Sequence, residues 1–214
     1  MTVQFQSGPG SVVLEDVSWD YYSLTLEELE PTRGTRVLFD QGRMEIMTTG
    51  GKHEGVKRTI GRLLETYAVE LDISITALGT LTLRRRKLQV GLEPDECYYV
   101  QTPPPPLLET ELDLSRYSPP DLAIEVEISR AILDKMPIYA ALKVPEIWRF
   151  SESRVTPLHR SRTGEYQARA KSIAFPLLDM ESFNRFLGQA LEQSQHEAIK
   201  ALRDWVRKGQ KRIS

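Results

Sequence analysis

The sequence has few of the features that stabilise secreted proteins or anchor membrane proteins. It contains one cysteine, Cys97, which excludes an internal disulfide and suits a reducing cytoplasm. No apolar run approaches the roughly 18–20 residues that a transmembrane helix needs. Residues 1–10 have neither the basic region nor the apolar region of a secretion signal. We therefore expect a cytoplasmic protein that does not cross a membrane.

Excess charge of one sign is also lacking. The chain has 28 Lys and Arg against 30 Asp and Glu, a net charge of -2. The chain as a whole therefore has no positive electrostatic field that would favour binding of nucleic acid, and any surface that binds nucleic acid must be local. The three histidines, His53, His159 and His196, are scattered, and with one cysteine they form no zinc site at any usual spacing. The length of 214 residues suits one domain with a full core.

The residues of segment 120–128 alternate with the two-residue period of a β-strand. Apolar residues at 122, 124, 126 and 128 face one way, whereas Asp121, Glu125 and Glu127 face the other. Carboxylates two residues apart on one face lie roughly 6.5–7 Å from each other. A hard divalent cation such as Mg²⁺ would remove their repulsion, since it takes carboxylate oxygens. By itself, however, the pattern favours a half-buried strand with a solvated acidic face.

The order of the other elements predicts the α/β (α+β) class, with a mixed β-sheet flanked by helices. Turn residues, apolar periodicity and prolines define these elements. The predicted elements are a short helix within 23–29, a hairpin over 37–47, a helix over about 53–71, strands within 73–77, 80–83 and 93–100, a helix over about 134–142, and strands over 145–150, 154–159 and 165–170.

The sequence also predicts where the domain begins and ends. Residues 1–18 are expected to be poorly ordered, because they combine glycine and proline with few apolar anchors. The main domain is expected over 19–190, followed at 191–214 by the end of a C-terminal helix and a basic tail. That helix is expected to run without interruption from about Glu181 into Trp205. The proline-rich stretch 102–119 is expected to be a structureless surface connection.

Candidate catalytic residues occur on several of these elements. His53 and Glu54 open a helix, Asp95 and Glu125 belong to two strands, and Lys135 follows on the next helix. Asp95 and Glu125 are a pair that a divalent metal can bridge, and Lys135 can orient water or stabilise charge on a phosphate. Each has a plainer alternative: a turn residue for Asp95, a solvated lysine for Lys135 and a helix-opening residue for His53.

Together these segments resemble the PD-(D/E)XK nuclease superfamily, and in particular the bacterial Uma-two family of restriction-endonuclease-like proteins. The resemblance extends from about Tyr22 to Phe186. It rests on five stretches: FDQGRMEIM at 39–47, HE at 53–54, LEPDECYY at 92–99, PPDLAIEV at 119–126 and IYAALKVPEIW at 138–148.

The resemblance implies a restriction-endonuclease-like fold and a Mg²⁺- or Mn²⁺-dependent endonuclease acting on DNA. Asp95 and Glu125 match the two metal-binding acids of the superfamily. The superfamily pattern places lysine two residues after the second acid, where this chain has Glu127. Lys135 is therefore the candidate for the lysine role, and Glu127 is a candidate third metal ligand. Many nucleases of this kind cut two strands as dimers, so a homodimer is among the expected states.

The run Arg84-Arg85-Arg86-Lys87 is the only dense basic patch in the body of the sequence. It is a candidate for phosphate contact, and its alternative is an edge strand protected by charge. Two other functions compete with the nuclease. Glu127 in place of lysine favours an inactive nuclease-fold module that binds nucleic acid or a protein partner. Paired acids also occur in glycosidases, although no aromatic sugar platform is evident.

Overall fold

The computed structural model describes residues 6–8, 10–29, 34–106, 111–128 and 131–210. Its strands are β1 (Gln6–Gly8), β2 (Ser11–Leu14), β3 (Thr35–Asp40), β4 (Arg43–Thr48), β5 (Thr76–Ala77), β6 (Thr82–Arg85), β7 (Val90–Leu92), β8 (Glu96–Tyr99), β9 (Glu111–Asp113), β10 (Leu122–Val126), β11 (Glu146–Ser151), β12 (Arg154–Arg160) and β13 (Tyr166–Ala168). Its α-helices are α1 (Trp19–Leu29), α2 (Gly51–Glu70), α3 (Lys135–Leu142), α4 (Met180–Glu192) and α5 (Gln195–Gln210).

The strands form two mixed sheets, where the sequence had suggested one. The first has the order β1-β2-β4-β3-β7-β6-β9, and the second has the order β13-β12-β11-β10-β8-β5. β10 pairs with β11 in parallel, because α3 carries the chain back between them, and β6 pairs with β9 in parallel. The expected class, a mixed α+β fold with helices flanking sheet, is confirmed.

The central strand β10 is buried on both faces. Leu122, Ile124 and Val126 pack in one core cluster with α2, α4 and α5. Ala123 points the opposite way, into a second cluster with α3 and the seven-stranded sheet. All five residues of β10 are buried. The face that carries Glu125 is thus covered by protein, which corrects the expectation of a solvated acidic face.

The N-terminal segment differs from the expected disorder over its described part. β2 pairs with β4, and Val13 is buried in the second core cluster. Gly10 supplies the positive φ of 84° that the turn before β2 needs, and its carbonyl accepts the backbone N–H of Thr48 at 2.8 Å. Residues 11–14 therefore form a strand of the sheet by pairing with the hairpin, although composition alone predicted that they are poorly ordered.

The C-terminal region also differs from the expectation. The predicted single helix is interrupted at 193–194, where Ser194 Oγ accepts the backbone N–H of Glu197 at 3.3 Å and caps α5. Ala198 and Leu202 of α5 are buried against α2 and α4. The segment from 191 therefore belongs to the core of the domain up to the end of α5, whereas residues 211–214 of the expected basic tail lie outside the described residues.

The proline-rich connection contains a short strand. β9 lies at the edge of the seven-stranded sheet, so the expectation of a structureless 102–119 is wrong at 111–113, and residues 107–110 lie outside the described residues. Among the described helices, none has the length and apolar character needed to cross a membrane.

Candidate functional site

A cavity of about 410 Å³ opens where both sheets meet the first turns of α2 and α3. It lies beside the carboxyl end of β10, just before β8 begins, and next to the end of β4. The charged and titratable side chains in its lining come from five elements or their ends. They are His53, Asp95, Glu125, Glu127, Asp134, Lys135 and Arg149.

Asp95 is the residue before β8, and only 2% of it is exposed. Its Oδ2 accepts the backbone N–H of Val126 at 2.7 Å and lies 3.0 Å from His53 Nε2. Because a carboxylate oxygen only accepts, His53 donates through Nε2. Burial raises the pKa of Asp95, but the bond from His53, the charge of Lys135 and the Val126 N–H outweigh burial and hold the pKa below its ordinary value.

Glu125 lies near the end of β10 and is also 2% exposed. Its Oε2 accepts a hydrogen bond of 2.6 Å from Lys135 Nζ, and its Oε1 accepts the hydroxyl of Tyr139. Burial raises the pKa of Glu125, with a further contribution from the negative charge of Asp95, despite the nearby Lys135. Burial lowers the pKa of Lys135, but the charges of Glu125 and Asp95 outweigh burial and raise it, so the ammonium form is favoured.

The first turn of α3 brings Lys135 to Glu125. Asp134 caps this helix, accepting the backbone N–H of Met136 at 2.9 Å, and Pro137 fits the first turn, where no N–H is required. Lys135 and Tyr139 are four residues apart, so both side chains lie on the same helix face. That spacing explains how one short helix holds both oxygens of Glu125.

The loop before α3 is tied to the hairpin by a buried acid. Glu45 Oε1 accepts the N–H of Ile132 at 2.9 Å, and Oε2 accepts the N–H of Leu133 at 2.7 Å. Glu45 is fully buried. Glu45 does not itself line the cavity, but Ile132 and Leu133, which it bonds, do.

The other candidates from the sequence do not join this centre. Glu54 does not line the cavity and pairs with Lys57 at 3.0 Å and Arg58 at 3.9 Å. Glu127 is exposed at the cavity rim. Among the described residues there is no group of three or more His, Cys, Asp or Glu placed to hold a metal ion. Glu127 therefore does not complete a three-residue cluster with Asp95 and Glu125.

The basic run lies elsewhere on the seven-stranded sheet. Arg84 and Arg85 belong to β6, which lies between β7 and β9, so the edge-strand alternative is wrong. Arg86 and Lys87 follow in a short 3-10 helix. No residue of the run lines the cavity.

Sequence reasoning missed two residues of the site. Tyr139 could have been found from its four-residue spacing after Lys135 on a predicted helix. Arg149 could not, because it reaches the cavity only through the parallel pairing that places it opposite Glu125. That pairing depends on the path of the chain through α3 and is not visible in local sequence.

The donor set is of the kind that Mg²⁺ takes. Two buried carboxylates, Asp95 and Glu125, face one polar cavity, and no described residue donates a hydrogen bond to Asp95 Oδ1. Mg²⁺ is commonly bound through one or two carboxylates and keeps several of its waters. The residues present therefore fit a partly hydrated Mg²⁺ better than a fully protein-bound metal.

The cavity brings a buried acid pair and a lysine together, and comparison with known proteins identifies the family of the chain. Residues 20–181 match the Uma2 family, which is described as "Putative restriction endonuclease". The chain belongs to this family, the Uma-two family that its motifs resemble, and the membership supports a nuclease.

One solved structure gives a further comparison, and no curated protein matches the chain. The chain is similar to the crystal structure of a "putative nuclease belonging to DUF820" from Anabaena variabilis ATCC 29413. The two share 13% sequence identity and a TM-score of 0.46, over 71% of this chain and 90% of the other.

Proposed function

We propose that this protein is a metal-dependent endonuclease that hydrolyses phosphodiester bonds in DNA. The observation that carries the proposal is the convergence of Asp95, Glu125 and Lys135 on one cavity. Two of these side chains are buried acids, Glu125 on β10 and Asp95 just before the neighbouring β8, and the third is a lysine from the next helix. Membership of the Uma2 family supports a nucleic acid as the substrate.

Asp95 and Glu125 would hold Mg²⁺ or Mn²⁺. When bound, such an ion lowers the pKa of a water molecule and acts as a Lewis acid toward a phosphoryl oxygen. Val126 and His53 fix the orientation of Asp95 through Oδ2, and Oδ1 receives no hydrogen bond from a described residue. Lys135 and Tyr139 fix Glu125 through one bond to each of its two oxygens.

Lys135 is the residue best placed to act on the substrate. Its ammonium group lies at the cavity wall, and its raised pKa keeps it charged at neutral pH. A cation at this position stabilises negative charge that develops on phosphoryl oxygens. His53 acts through Asp95 and is a positioning residue.

A second candidate is a catalytically inactive module that keeps the nuclease fold and binds nucleic acid or a partner. The specific observation in its favour is that Lys135 and Tyr139 engage both oxygens of Glu125. Such a network stabilises the domain without any metal, and Glu127 occupies the position where the superfamily has lysine. A homodimer remains an expectation for either candidate, and sedimentation velocity measures it.

Cleavage of supercoiled plasmid and of single-stranded DNA, with and without Mg²⁺ or Mn²⁺, tests the first candidate. Wild type should nick DNA only with metal, and Asp95→Ala and Glu125→Ala should abolish nicking while remaining folded by circular dichroism. A folded wild type that cuts neither substrate would contradict the endonuclease. Calorimetric titration of Mg²⁺ into the same three proteins then identifies the inactive module, which should bind no metal.

A further inference from the structure

Arg149 lies opposite Glu125 on the neighbouring strand and lines the candidate site. It belongs to β11 and is the register partner of Glu125 in the parallel pair β10/β11. Side chains directly opposite on neighbouring strands point to the same face, with the strands roughly 4.8 Å apart. Arg149 accordingly lines the same cavity as Asp95, Glu125 and Lys135.

The guanidinium of Arg149 differs from the other basic side chains of the cavity because it has no hydrogen-bond acceptor among the described residues. Its Nε is buried without a hydrogen-bond partner, and no described residue accepts a bond from any of its nitrogens. Lys135, by contrast, bonds Glu125, and His53 bonds Asp95. Neither rim acid, Glu127 or Asp134, forms an ion pair with Arg149 within the part of the chain that the structure describes.

A buried donor without an acceptor destabilises a protein, and native structures satisfy nearly all such groups. Within the described residues, none of the acids of the cavity accepts a bond from Arg149. Glu125 is bonded to Lys135 and Tyr139 through its two oxygens, and Asp95 is bonded to His53 and Val126 through Oδ2. An external anion would supply the missing acceptor. The planar guanidinium has several parallel N–H donors that match the oxygens of a phosphate.

We propose that Arg149 binds a phosphate group of the substrate in this cavity, beside Lys135. The identity of that phosphate, as part of a nucleic-acid backbone, rests on the proposed function. The proposal assigns the two cations different tasks. Lys135 is held by Glu125 at the acid pair, whereas Arg149 is free to form a two-pronged contact with phosphate oxygens.

Simple charge compensation of Glu125 is the alternative role for Arg149. Arg149→Lys separates the two roles, since lysine keeps the positive charge but lacks the planar fork. If Arg149 only balances charge, Arg149→Lys should behave as wild type. If it binds phosphate through the fork, Arg149→Lys should weaken nucleic-acid binding.

The test is equilibrium binding of a fluorescently labelled DNA duplex, measured by anisotropy in EDTA over a series of salt concentrations. EDTA separates phosphate contact from metal binding. Arg149→Met should weaken binding by about tenfold and reduce the slope of log affinity against log salt by about one, as loss of one phosphate contact requires. Arg149→Lys should fall between Met and wild type in affinity.

Arg154→Met is the matched control. Arg154 lies on the neighbouring strand β12, is exposed, and pairs with Glu181 at 2.9 Å outside the cavity. The Arg154→Met variant loses the same charge as Arg149→Met, but its DNA affinity and salt slope should be nearly those of wild type. Should Arg149→Met fail to fold, Arg149→Lys against wild type carries the test.

The outcomes distinguish failure of the phosphate site at Arg149 from failure of the proposed nuclease activity. DNA binding that depends on Arg149, in a wild type that never cleaves DNA, would support the phosphate site and contradict the nuclease. Cleavage by wild type together with an unchanged affinity and slope in Arg149→Met would overturn the phosphate site alone. A wild type that binds no DNA would overturn the phosphate site directly.

Discussion

Val126 donates its backbone N–H to Asp95 Oδ2 over 2.7 Å, so the acid that precedes β8 is held by the end of β10. The same oxygen receives the bond from His53 on α2. Three elements of the fold therefore meet at one carboxylate oxygen, and the orientation of Asp95 is part of the packing between them. Catalytic and structural roles of Asp95 can be separated by substitution.

Asp95→Ala and Asp95→Asn should differ in stability. Alanine leaves the buried N–H of Val126 without an acceptor, which costs about 1–3 kcal/mol, whereas the amide oxygen of asparagine can still accept it. Urea unfolding should thus give a higher free energy of unfolding for Asp95→Asn than for Asp95→Ala. Both variants lose the charge that would hold a metal, so both should lose metal-dependent cleavage. Equal stabilities for Asn and Ala would contradict the structural role of this hydrogen bond.

Lys135→Met should strongly destabilise the domain. It leaves Glu125 buried without a counter-charge, and breaking a buried ion pair costs about 3–5 kcal/mol. Adding Glu125→Gln to Lys135→Met removes the unpaired charge and keeps an acceptor for Tyr139, so the double variant should recover much of the loss. Thermal and urea unfolding of the single and double variants measure this. A double variant no more stable than Lys135→Met would mean that the ion pair is not the source of the effect.

The family motifs made Asp95, Glu125 and Lys135 candidates from the sequence, and the structure brings all three to one cavity. The alternation of segment 120–128 separates Glu125 from Leu122 and Ile124, and the structure buries the two sets in different directions. Proline and cap residues likewise placed the start of α3 within one residue. The functional roles of these side chains remain predictions.

Local sequence could not predict which residues are buried when helices and strands pack against each other. Glu125 and Glu127 share one strand face by pattern, but α3 covers only the first, so one is buried and the other exposed. Asp121, third in the same row, instead accepts the backbone N–H groups of Val100, Gln101 and Thr102 at 2.7–2.9 Å. Only the tertiary arrangement decides which acid faces a cavity.

Glu45→Gln should loosen the loop before α3. Glutamine has one acceptor oxygen where Glu45 bonds two backbone N–H groups, so one charge-assisted bond is lost, at about 1.5–3 kcal/mol. Hydrogen exchange of Ile132 and Leu133 should accelerate, and the free energy of unfolding should fall. Glu15→Gln is the control, because the partly exposed pair of Glu15 with Arg43 is worth about 0–1 kcal/mol. Similar losses in both variants would contradict the role of Glu45.

Asp121 should make stability depend on pH at the acidic end. Burial raises the pKa of Asp121, but the backbone N–H groups of Thr102, Val100 and Gln101 and the Thr102 hydroxyl outweigh burial and lower it. A lowered pKa in the folded state means that the stabilisation is complete above the unfolded value of about 4 and is lost as pH falls through the folded value.

The comparison of wild type with Asp121→Asn checks this sign. The difference in free energy of unfolding should be constant between about pH 6 and 8 and should shrink below about pH 4. Asp204→Asn, at an exposed position on α5, is the control and should give no such change. A stability difference that grows toward low pH would contradict the assignment.

If the basic run at 84–87 contacts DNA, its residues should contribute unequally to DNA binding. Arg84 forms an ion pair with Glu111, and its guanidinium lies 6.0 Å from the centre of the Trp19 ring. Arg86 pairs with Asp20 at 2.9 Å. Arg85 forms no ion pair with a described residue. Its charge is therefore left to interact with phosphate, as is that of the exposed Lys87, which also forms no ion pair with a described residue.

We expect Arg85→Ala to weaken DNA binding and to lower the salt slope by about one, as for one phosphate contact. Arg86→Ala should change the slope less, because Asp20 already offsets its charge. Arg84→Ala should act mainly on the free energy of unfolding, since Arg84 bridges β6 to β9 and packs near α1. Binding isotherms across salt concentrations, with urea unfolding of each variant, distinguish these effects. If all three variants keep the wild-type slope, the three arginines of the run make no phosphate contact.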